Sequence, residues 1–255
     1  MPCSPSKSRQ GRRCLFCDAA ADSNEHVWPS WLLKTLRRPS PSDILREHNG
    51  ERTRWGGANP AVRVRAVCGA CNHGWMSGLE TISRPVVGAL VQDLAIPLTP
   101  AQQQVAAVWA VKTSMVAEGL RALADDSSFY SQTEREEFRR SRMIPVGTTV
   151  WIGRYSGTMY ASLVCSDGVR HARKEQLAST LSAGCLAFQV LTVRLRQEHA
   201  TAAGLRLPQR PGPWDDATLQ IFPNSERRVN WPPRLSFDDG SGLTMGHWNG
   251  RWDAT

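Results

Sequence analysis

The segment Ser23-Asn24-Glu25-His26-Val27-Trp28-Pro29 lies between two cysteine pairs of the same form, Cys14-Leu15-Phe16-Cys17 and Cys68-Gly69-Ala70-Cys71. Two such C-x-x-C pairs, here with 50 residues between them, are typical of a structural zinc site in which each pair gives two thiolates to a tetrahedron. Four thiolates close the coordination sphere and leave no position for a substrate water. The pattern therefore predicts a zinc ion that stabilises the fold rather than one that catalyses a reaction.

The composition indicates a folded protein of a reducing compartment. At 255 residues the chain can form one large domain or two modest ones, and its ten tryptophans argue against long disordered stretches. The first nine residues lack the apolar segment of a secretory signal, and no apolar run approaches the ~18 residues of a membrane span. We therefore expect a cytoplasmic protein with no membrane partner, in which clustered cysteines bind metal. Disulfides or unconnected thiols are the alternative, and three further cysteines lack partners at ligand spacing: Cys3, Cys165 and Cys185.

The charge balance favours an anionic partner. The net charge is +8, with a pI near 9.5. Such a balance suits polyanions, of which nucleic acid is the commonest in a cytoplasm. A merely basic surface explains the charge equally well.

Hydrophobic periodicity and turn residues predict an α+β fold in three parts. Residues 1–13 form a basic, flexible arm, residues 14–85 a zinc-bound module, and residues 86–255 a mixed α/β domain with an antiparallel sheet. No motif indicates the role of this second domain, for which we expect recognition of a substrate or a partner. The module is expected to contain a strand at 25–27, a helix at 31–36, a hairpin turning at Asn49-Gly50, a strand at 61–67, and a helix from Asn72 that ends before Pro85. The second domain is expected to contain helices at 101–118 and 131–142, a hairpin of 148–154 with 158–164, and a strand at 185–197.

The motifs Cys14-x-x-Cys17, Glu25-His26-Val27 and Cys68-x-x-Cys71-Asn72, in this order, resemble the HNH endonuclease superfamily. These enzymes are also called ββα-metal or His-Me finger nucleases, and the resemblance is to their four-cysteine zinc branch of the phage endonuclease VII type. It covers residues 14–84. It implies a zinc ion on the cysteines, His26 as the general base, and Glu25 with Asn72 as ligands of a catalytic Mg²⁺ or Mn²⁺. The implied substrate is DNA, and a partner protein of a defence or mobile-element system is a further implied partner.

The chemistry of these residue types agrees with phosphodiester hydrolysis. An imidazole is a suitable base at neutral pH, and a hard cation on one carboxylate and one amide oxygen keeps positions for water and phosphate. Adjacent side chains of a regular strand point to opposite faces, so Glu25 and His26 can serve one site only if the backbone bends there. We expect such a bend because Pro29 follows closely. Outside this framework a Glu-His pair is usually solvated, and an Asn after Cys is usually a helix cap.

Several other residues have two interpretations. Arg63 and Arg65 share one face of the strand before Cys68, where they contact phosphate or lie on a solvated face. His73 contacts phosphate, replaces Asn72 as a ligand, or faces solvent. For the remaining basic and aromatic positions we expect structural roles. We expect three tryptophans to pack around the zinc instead of stacking on bases, namely Trp28, Trp31 and Trp75. We expect four arginines to form a solvated helix face, namely Arg135, Arg139, Arg140 and Arg142.

Two functions are consistent with the sequence. The first is a metal-dependent endonuclease that acts on DNA. The second is a catalytically inactive, zinc-stabilised module that binds nucleic acid or a protein. The intact trio Glu25, His26 and Asn72 favours the first, because a site that no longer cleaves is free to lose one of them.

Overall fold

A computed structural model of the chain describes residues 12–36, 42–48, 51–57, 63–121, 128–157, 161–167, 174–195, 216–224 and 226–238. Several features predicted from the sequence lie outside these ranges, namely residues 1–11 of the basic arm, Cys3, the Asn49-Gly50 turn, and the tail beyond residue 238. Within them, no helix combines the length and the apolar character that crossing a membrane requires.

The elements of the first part begin after the first cysteine pair and continue past the second. They are β1 (Ser23–His26), α1 (Ser30–Thr35), β2 (Ser42–His48), β3 (Glu51–Gly57), β4 (Arg63–Val67), α2 (Gly69–Cys71), a π-type turn (Asn72–Met76) and α3 (Ser77–Val91). The strand β1 pairs antiparallel with β4, and the helical segment follows β4 directly. In β4 the valine and alanine at 64 and 66 are buried while the arginines at 63 and 65 are exposed, so the predicted alternation is confirmed.

The remaining elements combine long helices with a large sheet, in agreement with the expected α+β class. They are β5 (Ile96–Leu98), α4 (Pro100–Arg121), α5 (Gln132–Ser141), β6 (Thr148–Tyr155), β7 (Ala161–Asp167), β8 (Lys174–Ala183), β9 (Leu186–Leu195), β10 (Thr218–Phe222), β11 (Val229–Trp231) and β12 (Ser236–Phe237). An eight-stranded sheet has the order β10-β6-β9-β8-β7-β2-β3, with β12 beside β6. All of its pairs are antiparallel except β2 with β7 and β12 with β6.

The sheet and the core cross the boundary expected at residue 85. The strands β2 and β3 join the sheet through β7. The helix expected to end before Pro85 instead continues as α3 to Val91. Proline removes one helical hydrogen bond, but the turns after Pro85 bury Val86, Val87, Leu90 and Val91 in the core. Burial of these apolar side chains offsets the lost hydrogen bond, so the helix passes through the expected boundary.

The predicted hairpin of residues 148–154 with 158–164 is wrong. The strand β6 pairs with β9 and β10, while β7 pairs with β8 and β2. Nearly every residue of β6 is buried, so β6 is an interior strand that needs partners on both sides. The hairpin lies at β8–β9 and turns at Gly184, whose φ is +56°. A Cβ at Gly184 would lie 2.7 Å from both Leu36 Cδ2 and the Val91 carbonyl oxygen, so this turn packs tightly on the end of α3.

The basic helix α5 is only partly a solvated face. Its predicted capping box between Ser131 and Glu134 is confirmed. Arg139 and Arg140 are exposed, as expected. Arg135, however, is buried, and its guanidinium donates to Glu118 on α4 at 2.9 Å. Arg135 is therefore half of a buried ion pair that joins α5 to α4.

Replacement of Arg135 by alanine is expected to destabilise the protein by about 3–5 kcal/mol, because it leaves the buried Glu118 carboxylate without its partner. The exposed Arg139→Ala variant on the same helix is the control and should change the free energy of unfolding by less than about 0.5 kcal/mol. Urea unfolding followed by circular dichroism measures both. Equal losses in the two variants would contradict the buried pair.

Candidate metal centre and active site

The two cysteine pairs form one cluster. Cys14 and Cys17 lie in the loop before β1, and Cys68 and Cys71 flank the first turn of the helical segment. Their four Sγ atoms all lie within 4.8 Å of one another, with Cys17–Cys68 at 3.6 Å and Cys17–Cys71 at 3.7 Å. Tetrahedral zinc with bonds of about 2.3 Å separates its sulfurs by about 3.8 Å, so the donor set fits. The predicted grouping is confirmed, and the cluster can bind a metal ion such as zinc.

Backbone hydrogen bonds shape the cluster. The loop is held to β4 by the Leu15 N–H, which donates to the Ala66 carbonyl at 2.8 Å. Two N–H groups donate to sulfur at 3.4 Å, from Phe16 to Cys14 and from Cys71 to Cys68. These donors stabilise the negative charge that a thiolate carries as a metal ligand. The sequence forms this geometry because each C-x-x-C turn directs its backbone amides at its own first cysteine.

The thiols respond to burial in different ways. Burial raises the pKa of Cys14 and of Cys71. Burial opposes ionisation of Cys68 as well, but hydrogen bonds from the Cys71 backbone and from the neighbouring thiols outweigh it and lower the Cys68 pKa. Metal binding at this cluster therefore has to displace protons from buried thiols, which makes its affinity depend on pH.

One of the three tryptophans, Trp75, lies beside the cluster, near Cys71. Trp28 is buried, and Trp75 packs edge-on against Phe16 with ring centroids 4.9 Å apart. The guanidinium of Arg142 lies 4.4 Å from the Trp75 ring centroid, which closes this side of the cluster. The expectation that these tryptophans pack instead of presenting free stacking faces is confirmed for Trp28 and Trp75.

Asn72 fastens the helical segment to β1. Its Nδ2 donates to Ser23 Oγ at 2.8 Å and to the Asn24 carbonyl at 3.4 Å. Because Asn72 follows Cys71 directly, the cysteine cluster sets where this amide meets the strand. The amide nitrogen is used in these bonds, so Oδ1 is the atom of Asn72 that can coordinate a cation.

Glu25 and His26 leave β1 on opposite faces. Glu25 pairs with Val64 and His26 with Arg63 in consecutive register, and the irregularity of the strand lies between Ser23 and Glu25. The expected bend between Glu25 and His26 is therefore absent. Glu25 is buried, whereas His26 is partly exposed. Regular pairing through both residues explains the difference, because successive side chains alternate across a strand.

A buried charge cluster surrounds Glu25. The Lys112 ammonium on α4 lies 3.8 Å from Glu25 Oε1 and 2.5 Å from Glu80 Oε1. Glu80 Oε2 also accepts the indole N–H groups of Trp31 at 2.7 Å and Trp109 at 2.9 Å. Glu80 is thus well supplied with donors. One ammonium faces two carboxylates, so the uncompensated negative charge of the cluster lies at Glu25.

The environment of Glu25 opposes its charge. Burial raises the pKa of Glu25, the Lys112 ammonium opposes that shift, and the Glu80 carboxylate adds to it. A divalent cation beside Glu25 would neutralise this buried charge. The sequence motifs do not indicate Lys112 and Glu80 as neighbours of Glu25. The available signal was that Lys112 is the only charged residue in the otherwise uncharged run 105–117.

His26 is hydrogen-bonded across the strand pair. Arg63 Nε donates to His26 Nε2 at 2.8 Å. Partial burial and the nearby guanidinium lower the pKa of His26, which favours the neutral imidazole. Arg65 is held differently, because its Nε donates to the Ala21 carbonyl at 3.2 Å. His73 is exposed and interacts electrostatically with Glu25.

The structure brings the metal-binding residue types together at one place. Among the residues it describes, the four cysteines are the only group of three or more His, Cys, Asp or Glu side chains close enough to share an ion. Glu25 is not part of a group of this kind.

Zinc content and stability test the cysteine cluster. The purified protein is expected to contain about one zinc ion per chain. Because structural zinc contributes on the order of 10 kcal/mol to folding, Cys68→Ser should lose the ion and lower the thermal midpoint. His26→Ala should keep the zinc ion and the thermal midpoint of the wild type. Elemental analysis and circular dichroism provide the measurements, and zinc-free wild type or equal midpoints for wild type and Cys68→Ser would contradict the assignment.

The buried lysine allows a second test. Lys112→Met should lower the free energy of unfolding by about 3–5 kcal/mol, because it leaves two buried carboxylates without a cation. The double variant Lys112→Met/Glu80→Gln should recover part of that loss. Lys34→Met on the exposed side of α1 is the control and should change little. Chemical unfolding measures all three, and a loss in the double variant that equals or exceeds that of Lys112→Met would show that charge compensation is not the cause.

Comparison of the chain with protein-family models, with curated proteins and with solved structures gives no match.

Proposed function

We propose that the protein is a metal-dependent endonuclease that hydrolyses phosphodiester bonds in DNA. The observation that carries the proposal is the arrangement of β1, β4 and the following helix. Two antiparallel strands lead into a helical segment, the cysteine cluster lies at their junction, and Asn72 bonds to β1 beside Glu25 and His26. This is the order of parts that the ββα-metal nucleases require. The identity of the structural ion as zinc belongs to the same proposal.

In this proposal three residues, His26, Glu25 and Asn72, each have one role. His26 accepts the proton of the attacking water, for which a neutral imidazole is suited. Glu25 and the Oδ1 atom of Asn72 hold a Mg²⁺ or Mn²⁺ ion. That ion, when bound, supplies positive charge to the phosphate and to the leaving oxygen. The uncompensated negative charge at Glu25 supports a cation there.

The charge of the chain supports DNA as the substrate class. The chain carries a net charge of +8, and Arg63 presents an exposed guanidinium beside His26. Arginine matches phosphate oxygens by bidentate hydrogen bonding. A phosphate group that meets Arg63 would therefore lie next to the proposed base.

A second function is favoured by one specific observation. Glu25 and His26 lie on opposite faces of β1, and Glu25 is buried beside Lys112. A strand that buries its glutamate and carries its histidine on the other face suits a zinc-stabilised module that binds nucleic acid or a protein without cleaving it. The two functions differ in whether His26 is needed for turnover.

Cleavage of supercoiled plasmid distinguishes the two functions. Wild type with Mg²⁺ or Mn²⁺ is expected to nick the plasmid, and zinc-loaded His26→Ala is expected to do so at least ~100-fold more slowly, because general base catalysis contributes about that much or more. The exposed Arg140→Ala variant, far along the chain from β1, is the control for loss of a basic side chain elsewhere on the surface.

Equal nicking by wild type and His26→Ala would overturn the proposed role of His26. Absence of cleavage of duplex, branched and single-stranded DNA by the zinc-loaded wild type would favour the binding module.

A further inference from the structure

In the free protein, the proposed base His26 already accepts a hydrogen bond from Arg63. A neutral imidazole has one nitrogen that carries a proton and one that offers a lone pair. His26 Nε2 accepts the N–H of Arg63 Nε at 2.8 Å, so Nε2 is the lone-pair nitrogen and the proton of the ring is on Nδ1. A water molecule cannot deliver its proton to Nε2 while Arg63 holds that position. His26 is thus oriented for catalysis but not yet available as a base.

The contact is positioned by the sheet. His26 and Arg63 are directly opposite each other in the antiparallel pair of β1 and β4. The Arg63 side chain is exposed, so its guanidinium can turn into solvent without breaking the core. Arg65, two residues along the same face, is instead bonded to the Ala21 carbonyl. The two arginines that the sequence could not separate therefore differ in what they touch.

A phosphate group competes well for Arg63. An anionic phosphate oxygen accepts a stronger hydrogen bond from a guanidinium than a neutral imidazole nitrogen does, and it can accept two in parallel. The phosphate backbone of DNA also brings several such oxygens close to a basic surface. Exchange of the imidazole for phosphate is thus favourable once DNA is bound.

We propose that Arg63 blocks His26 in the free protein and that a phosphate of bound DNA releases the base by taking the guanidinium. This inference rests on the proposed endonuclease function. After the exchange, Nε2 is open to water and the two neutral tautomers of the ring interconvert rapidly through solvent. The Nδ1–H tautomer then accepts the proton of the attacking water at Nε2 as the water oxygen bonds to phosphorus. The bond from phosphorus to the leaving oxygen breaks, and that oxygen takes a proton from solvent. Arg63 is then a phosphate ligand, and the base is available only when substrate is present.

The tautomer of His26 tests the proposal directly. Long-range proton–nitrogen NMR of protein labelled with ¹⁵N-histidine reports which ring nitrogen carries the proton, at a pH where the ring is neutral. The His26 signals are assigned by their loss in His26→Gln. We expect Nδ1–H in wild type and in the control Arg140→Ala. We expect a shift to Nε2–H in Arg63→Ala, because Nε2–H is the preferred form of an unconstrained histidine ring.

Addition of a short DNA duplex without Mg²⁺ or Mn²⁺ completes the test. The Nδ1–H signature of wild type should be lost as the duplex saturates the protein. The same tautomer in wild type and Arg63→Ala, or an unchanged wild-type tautomer with duplex bound, would overturn the proposal. Plasmid nicking is scored separately in the presence of Mg²⁺. Nicking with an unchanged tautomer removes only the role of Arg63, whereas no cleavage of any DNA removes the endonuclease function on which it rests.

Discussion

The geometry of four sulfur atoms determines where the residues of the proposed site lie. The two cysteine pairs are separated by 50 residues in the chain, yet their Sγ atoms lie within 4.8 Å of one another. The first pair precedes β1, and the second begins the helical segment. Because Asn72 follows Cys71 directly, the cluster places the Asn72 amide against Ser23 and Asn24 at the start of β1. The pairing of β1 with β4 and the hydrogen bond from the Gly69 N–H to Asp22 Oδ1 at 2.8 Å support the same arrangement.

A second constraint couples the site to the rest of the chain. Lys112 extends from α4 between Glu25 on β1 and Glu80 on α3. The indoles of Trp31 and Trp109 complete the hydrogen bonds of Glu80. The environment of Glu25 is therefore built by elements on both sides of residue 85. This explains why a division of the chain at that residue does not separate the chemistry from the larger sheet.

The sequence predicts well what depends on local spacing. The capping box at Ser131 and the alternation of β4 each involve residues a few positions apart, and each is confirmed. The grouping of the two C-x-x-C pairs is confirmed as well, because each pair is a local metal-ligand motif that needs a second pair. Pairing across the sheet could not be predicted, because β6 finds its partners in β9 and β10 through burial of an entire strand. The extension of α3 through Pro85 has the same origin, since a buried apolar face outweighs one lost hydrogen bond.

The orientation of the residues in the proposed site could not be predicted from the sequence either. The residue types at Glu25, His26 and Asn72 are evident from the sequence, but their orientation follows from strand register. Pro29 suggested a bend, while the observed register carries Glu25 into the interior and His26 towards Arg63. Lys112 is visible in the sequence as a lone charge in an uncharged run. Its two carboxylate partners are apparent only in the folded structure, where α4 packs against β1 and α3. Roles that depend on facing direction therefore need the tertiary structure.

Binding of a divalent cation at Glu25 tests the central claim most directly. Electron paramagnetic resonance of Mn²⁺ added to zinc-loaded protein counts bound ions without requiring DNA. We expect one Mn²⁺ site in wild type that is lost in Glu25→Gln and weakened in Asn72→Ala, while zinc content stays unchanged. A folded, zinc-loaded wild type that binds no Mn²⁺, or that binds it equally well in Glu25→Gln, would contradict the claim that this zinc-organised strand and helix form a metal-dependent nuclease site.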